Sequence, residues 1–421
     1  MNWNVLLLSL SILACIPNKV FAADFRYELG FEAGYFENLN LEADPVSDEV
    51  SGLVYAGISV FEDDANFLMQ LDSRISTINY HRDVGLDQNR ANLEANLIWR
   101  IQPGRFEWVL RDTFTQTAIN TIESDIPTNR QNINAFTTGP NYIIRLNPKN
   151  NLAFEARAEK YTYEVNASNN RGSIAARWVH SVNPAFEITL NNEALTVEFD
   201  DPVFNDFNRN DIYLSSNYRR GANEITAEYG YTILNTDNIE DVDEDRFLLS
   251  ISSARTRTSS IRLTYSDFAT DTGTRILDGS NDSIDDSLND TAANDIFIDE
   301  TLRFQIFNSL SQGNILFEVA NTDRAYKRQT DLDVNLKAAI ISGAWNLRRS
   351  NFFTYNFRYI NRDYVNTRED NDYVYSLSYS YALLRNFRIN FDVVSLERAS
   401  TLENDSYQDL RFLMSFNYTS S

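Results

Sequence analysis

Groups that titrate, attack or ligate are sparse in this chain of 421 residues, which holds two histidines and one cysteine. His81 stands beside Arg82 and Asp83, and an Asp–His pair at the rim of a β-structure can activate water. No serine motif accompanies it, so catalysis is not expected. His180 shares an alternation with Ile174, Ala176 and Trp178 and reads as an interfacial side chain. Two isolated imidazoles, with the thiol at Cys15, exclude a zinc site by spacing, and neither a metal nor a cofactor is expected. The segment from Asp267 to Glu300 carries Asp267, Asp271, Asp278, Asp282, Asp285, Asp286, Asp290, Asp295, Asp299 and Glu300 against Arg275. Oxygen-rich loops can bind calcium or bridge lipopolysaccharide through divalent ions. The D-x-D-x-D-G spacing is absent, so a solvated, mobile external loop is expected.

The informative charges lie singly within alternating segments. Arg26, Glu28, Glu32, Arg90, Glu94, Arg100, Glu107, Arg111, Glu155, Arg157, Glu159, Glu224, Glu228, Arg262, Arg303, Lys337, Arg358, Arg388, Asp392 and Arg411 are such positions, with both signs represented. A charge midway along a membrane strand is costly against lipid, so these residues are expected to face a lumen. They then either form cross-strand ion pairs that stiffen a wall or line a polar pore and set its selectivity. The two roles are compatible.

The elements that would position them are strands. Phe25, Tyr27, Leu29, Phe31, Ala33 and Tyr35 alternate with polar residues and glycine, and so do Ala91 to Ile101, Ile225 to Ile233, Leu332 to Ile340 and Tyr373 to Tyr381. Segments of about 11 to 14 residues exceed the usual soluble strand and, tilted by about 40°, cross roughly 28 Å. Connections alternate between short (Pro103-Gly104-Arg105, Asn147 to Asn150, Asn183-Pro184, Arg220 to Ala222, Leu347 to Ser350, Leu384 to Asn386) and long (Asn38 to Glu49, Thr117 to Gln131, Asp200 to Asn208, Ala269 to Asn294). With the first strand rising from the periplasm, Trp99, Trp108, Trp178 and Trp345 all fall beside short turns, as an interfacial girdle requires. The expected fold is an all-β, transmembrane, antiparallel up-and-down barrel of about 20 strands, or 18 without the weaker segments near Val54, Tyr142 and Ile212. Both termini are then periplasmic, and no residues remain for a plug domain. The last strand presents Leu410, Phe412, Met414, Phe416 and Tyr418 on one face, a pattern similar to that read by the barrel assembly machinery. Thr419-Ser420-Ser421 displaces its aromatic from the final position.

Composition supports export. A net charge of −23 argues against a nucleic-acid partner, and 43% hydrophobic residues argue against a disordered chain. Val5 to Ile16 is the apolar core of a secretory signal, followed by Val20-Phe21-Ala22, so cleavage after Ala22 is expected. Ile12 to Cys15 offers a rival lipoprotein box, weakened by Leu13 at its second position. Residues 23–421 then form a single barrel domain without cysteine.

At Trp99-Arg100-Ile101-Gln102-Pro103-Gly104-Arg105-Phe106-Glu107-Trp108 and Asp112-Thr113-Phe114-Thr115-Gln116 the chain resembles a group of proteobacterial β-barrel porins. That group is associated with exopolysaccharide production and the PEP-CTERM/exosortase sorting system. The resemblance extends over most of the barrel and is most specific at the turn around Pro103. It implies an outer-membrane barrel of a Gram-negative bacterium serving polysaccharide export or surface assembly, and supplies no catalytic residues. The expected function is a water-filled pore. A non-conducting structural component and a rim hydrolase using His81 are the alternatives. Expected partners are outer-membrane lipid and lipopolysaccharide, the assembly machinery, and polysaccharide or export components.

Overall fold

A computed structural model describes residues 23–420 apart from 46, 83, 84, 86, 121, 122, 125, 237–240, 272, 273, 275–294 and 349. The expected signal segment and its cleavage site lie outside the described residues. The chain forms β1 (Asp24–Phe36), β2 (Glu49–Asp63), β3 (Phe67–Tyr80), β4 (Gln88–Gln102), β5 (Phe106–Ala118), β6 (Arg130–Asn147), β7 (Asn150–Tyr163), β8 (Asn169–Asn183), β9 (Phe186–Phe199) and β10 (Phe207–Arg220). It continues through β11 (Asn223–Thr236), β12 (Val242–Ala254), β13 (Ser259–Asp271), β14 (Ile296–Leu310), β15 (Gly313–Tyr326), β16 (Val334–Arg348), β17 (Asn351–Tyr364), β18 (Glu369–Leu384), β19 (Phe387–Ser400) and β20 (Tyr407–Thr419). The segments near Val54, Tyr142 and Ile212 are β2, β6 and β10, so the larger strand count holds. Each strand pairs antiparallel with its sequence neighbours, and β1 pairs with β20 to close a 20-stranded barrel. Closure leaves no free sheet edge at the seam.

Turns of at most four residues follow every even-numbered strand before β20, and the connections after odd-numbered strands are as long or longer, residues 365–368 after β17 being the shortest. Gly104 (φ +68°) and Gly221 (φ +61°) occupy the left-handed region in two short turns, where a side chain would be strained. Asp24 and Thr419 both lie at the short-turn end.

Contacts between distant strands identify the inner face. Arg171 on β8 reaches Asp271 on β13, five strands away, which is possible only through the interior. Carried round the barrel by the register, this parity puts Trp99, Trp108, Trp178 and Trp345 on the outer face at the short-turn end. The outer face is apolar there. On β18, Tyr381, Tyr379, Leu377, Tyr375 and Tyr373 give way to Asn371 and Glu369, an apolar stretch about 20 Å tall for strands tilted by about 40°.

Lys337 departs from the inward expectation. It pairs with Asn321 and Asn361 on the outer face, and Val334, Leu336, Ala338 and Ile340 point inward instead. The reason is height. Lys337 stands above the apolar belt, where an outward charge meets water, while the inward residues join Ala320, Ile360 and Tyr364 in a buried cluster. Similar interior clusters, Ile133, Ala135, Tyr161 and Tyr163 among them, occupy the long-loop half elsewhere. That half is packed, and the short-turn half is open and polar.

Candidate functional site: a charged inner wall and an infolded hairpin

Of the twenty charges expected from sequence to face a lumen, the register sets all but Lys337 at inner-face positions. At the short-turn rim Arg26 meets Asp24 at 2.6 Å and Arg100 meets Asp63 at 2.8 Å. Glu28 accepts from Arg74 Nε at 2.8 Å, and Glu224 accepts from Arg219 at 2.5 Å. Glu228 faces Arg246 at 3.3 Å, Arg303 faces Glu318 at 3.5 Å, and Arg388 lies 5.0 Å over the Phe352 ring. Arg90 donates to Gln88 on its own strand. Glu32, Glu159 and Arg358 are half-buried in the wall, whereas Glu94, Arg111 and Arg262 are exposed inside it.

Arg157 has a backbone role that sequence did not show. Pro140 has no N–H to give, and the β6–β7 ladder passes over Gly139 and Pro140. A Cβ on Gly139 would stand 1.9 Å from the Ala156 carbonyl oxygen, so glycine is required at that close approach. Arg157 Nη1 fills the breach by donating to the carbonyls of Pro140 at 3.0 Å and Ala156 at 2.8 Å.

Mid-wall charges join into a belt across six strands. Arg177 bridges Glu155 (2.5 Å) and Glu193 (3.1 Å), and the Tyr213 hydroxyl donates to Glu193 at 3.0 Å. Arg246 lies 4.3 Å over the Tyr213 ring and ends the belt on Glu228. Arg177, Glu193 and Arg246 were absent from the sequence reading. Counting by twos from Trp178 would have found Arg177, because adjacent residues on a strand face opposite ways.

At the closing seam, Tyr55 on β2 lies over Gly30 on β1, where a Cβ would stand 2.2 Å from the ring, and its hydroxyl donates to Asn417 on β20. Arg74 lies 4.0 Å over the same ring. Beside this strap is a cavity of ≈ 560 Å³, whose lining includes Glu28, Arg74, Asn390, Asp392 and Asn417.

At its described ends the acidic segment departs from the expected solvated loop, while the rest of that expectation lies outside the described residues. Strands β13 and β14 continue to Asp271 and back from Ile296, where β13 parts from β12 and leans into the barrel while β14 stays paired with β15. Asp271 meets Arg171 at 2.6 Å and Arg209 at 3.4 Å, and Arg209 also holds Asp211 at 3.0 Å. Ile296 packs into Leu195, Val197, Phe207 and Leu234 on β9 to β11. Asp299 is buried against Arg324 at 2.8 Å. Asp295 accepts the Ile296 and Gln329 amides, and burial nevertheless pushes its carboxyl above the usual range. Asp271 is interior because arginines on the facing wall compensate it, and Asp299 because Arg324 does so from the neighbouring strand. Lys327 reaches Glu244 on β12 at 3.1 Å, and Arg328 donates to the Val203 carbonyl at 3.2 Å, so the β15–β16 connection also leans over the long-loop end. Asp267 and Glu300 face outward as a pair, and Asp278, Asp282, Asp285, Asp286 and Asp290 lie outside the described residues. Among the described residues, no group of three His, Cys, Asp or Glu is placed to hold a metal.

His180 stacks on Trp178 at 5.7 Å on the outer face, with Nδ1 2.9 Å from Asn150 Oδ1. The His81 amide donates to the buried Glu49, which also accepts from Val50 and Arg82. Asp83 lies outside the described residues.

No family model matches the chain, and no curated protein matches it. Solved structures do. The siderophore receptor PirA from Acinetobacter baumannii aligns at 7% identity over 96% of this chain and 81% of that one, with a TM-score of 0.56. A mutant of the ferric enterobactin receptor PfeA from Pseudomonas aeruginosa aligns at 9% over 96% and 81%, with a TM-score of 0.55. The outer membrane protein OpdK from the same organism aligns at 10% over 94% and 99%, with a TM-score of 0.41. At these identities the likeness is one of fold, and the fold matches that of Gram-negative outer-membrane barrels.

Proposed function

We propose that this chain forms a polar conduit for hydrophilic solutes across the outer membrane, narrowed at its long-loop end by the infolded β13–β14 hairpin. The observation that carries the reading is the sidedness of the wall. Its outer face is an apolar belt with tryptophans at one rim, and the inner face at the same height is charged and reached by water. Such a wall is stable only between lipid and an aqueous lumen. The resemblance around Pro103 supplies the setting, polysaccharide export or surface assembly, with lipid, lipopolysaccharide and export components as partners. The packed long-loop half favours a second reading, a structural barrel that does not conduct. Single-channel recording of the refolded protein in planar bilayers separates them, with heat-modifiable gel mobility confirming the fold. Discrete conductance steps are expected, and sized polymers then measure the bore. A folded, inserted barrel that stays silent favours the structural reading.

A further inference from the structure

The cavity beside the Tyr55 strap holds polar groups that the wall itself does not use. Its floor is β18, whose inner face carries Ser378, Ser380 and Ala382 and so stays low. On one side Arg74 lies over Tyr55 and is neutralised by Glu28. On the other, Arg388 on β19 reaches across β18, past its register partner Ala382, to lie over Phe352 on β17. At ≈ 560 Å³ the recess is within the roughly 300–1,000 Å³ of small-molecule sites.

Its middle is already committed. Asn390 accepts from Ser380 at 2.6 Å and donates to Ser415 at 3.0 Å, and Asn417 accepts from Tyr55 and donates to Ser415 at 3.3 Å. The open groups lie at the two ends. Toward the rim, Arg388 and the turn residue Arg385 have no carboxylate within ion-pair distance among the described residues. Deeper in, the Ser378 hydroxyl and the Asp392 carboxylate face each other in register, and neither has a hydrogen-bond partner among the described residues. Arg388 and Asp392 are four residues apart on one face, about 13 Å along the strand, and the reach of Arg388 toward Phe352 shortens that span. Three arginines against Glu28 and Asp392 leave one positive charge uncompensated. That balance suits a monoanion, and the two carboxylates oppose a dianion.

The mouth beside the recess has the same sign. In a chain of net charge −23, Arg105, Arg145, Arg220, Arg255, Arg257 and Arg348 at the short-turn end are exposed and form no ion pair among the described residues. Of the acids there, Asp24, Asp63 and Glu224 are held by Arg26, Arg100 and Arg219. A basic rim concentrates anions where the recess opens. We propose that the recess binds a small hydroxylated carboxylate, with Arg388 and Arg385 on its carboxyl group and Asp392 and Ser378 on its hydroxyls. The role as a solute site rests on the conduit reading; the binding rests on the recess alone.

The test needs no current. Ligand-observed NMR titration uses the full chain in detergent at low salt, its fold verified by heat-modifiable mobility, with sodium gluconate as the probe. Glucose, propionate, inorganic phosphate and 6-aminohexanoate are the comparisons, and gluconate should bind tightest. Arg388→Met with Arg385→Ser should weaken gluconate about tenfold or more. Asp392→Ala should narrow the advantage of gluconate over propionate. Equal binding of gluconate and glucose, or gluconate binding untouched by the double variant, overturns the proposal. Tighter binding of 6-aminohexanoate overturns it too, by assigning Asp392 to an ammonium, and so does tighter binding of phosphate. A barrel that conducts without binding gluconate loses the site and keeps the conduit. One that binds gluconate as described and stays silent in bilayers keeps the site and refutes the conduit.

Discussion

Replacing Asp271 by alanine removes the carboxylate that Arg171 and Arg209 share. Arg209 keeps Asp211 at 3.0 Å, but Arg171 is left with Asn169 Oδ1 at 2.9 Å and the Tyr161 ring. The Arg171 side chain is 3% exposed, so its charge loses its direct ion-pair partner where water scarcely reaches, with Glu159, opposite it on β7, as a remaining carboxylate. Breaking a buried ion pair from one side costs about 3–5 kcal/mol. That cost weakens the hold on the end of β13 by roughly two to four orders of magnitude, at about 1.4 kcal/mol for each tenfold. Bilayer recording should therefore find Asp271→Ala open for most of the time, with Asp271→Asn between it and the parent. Urea titration in vesicles should show a loss of stability smaller than the full cost, because the chain around position 271 can relax toward water. A variant with the parent's conductance and the parent's urea midpoint would refute the idea that this carboxylate holds the end of β13 inside.

Tyr55→Ala strips the strap from the β20–β1 seam and should lower barrel stability by about 3 kcal/mol, while Tyr55→Phe, losing the Asn417 bond alone, should lower it by about 1 kcal/mol; equal midpoints for the two would show that the ring contributes nothing. Arg157→Met should destabilise by about 1–3 kcal/mol through the carbonyls it uncovers. That loss should shrink when Pro140→Val restores an N–H, a coupling that a double-mutant cycle reads directly. Arg111→Glu with Arg262→Glu, both exposed on the inner face, should move the reversal potential in a salt gradient toward cation preference with little change in stability. Burial raises the Asp295 carboxyl above its unfolded value, so its contribution is full at low pH and is lost as pH rises through the folded value. Asp295→Asn should flatten that part of the pH–stability profile, and an unaltered slope would locate the dependence elsewhere.

Much of the barrel is legible in the sequence because a strand in a two-sided wall has period two. Phe25 to Tyr35 and Tyr373 to Tyr381 declare their lipid face without any tertiary knowledge. The tryptophans beside Pro103 and Pro184 declare which rim is which, since short turns recur at one end. The same alternation separates the inner charges from the outer apolar residues wherever the outside is apolar. It fails at Lys337. Above the apolar belt the polar face looks outward to water and the apolar face looks into a packed interior, so the pattern is unchanged while its meaning inverts.

Periodicity therefore determined the strands, their order and the face each residue shares, because these depend on neighbours a few positions away. Tertiary structure alone decided where the wall stops being a wall. Asp271 and Asp299 look like two more acids of an exposed loop until Arg171 and Arg209 face Asp271 across the interior and Arg324, on the neighbouring strand β15, pairs with Asp299. A charge is read as solvent-facing or buried by its counter-ions. Arg171 stands 100 residues before Asp271 in the chain, and only the closure of the barrel brings the two together.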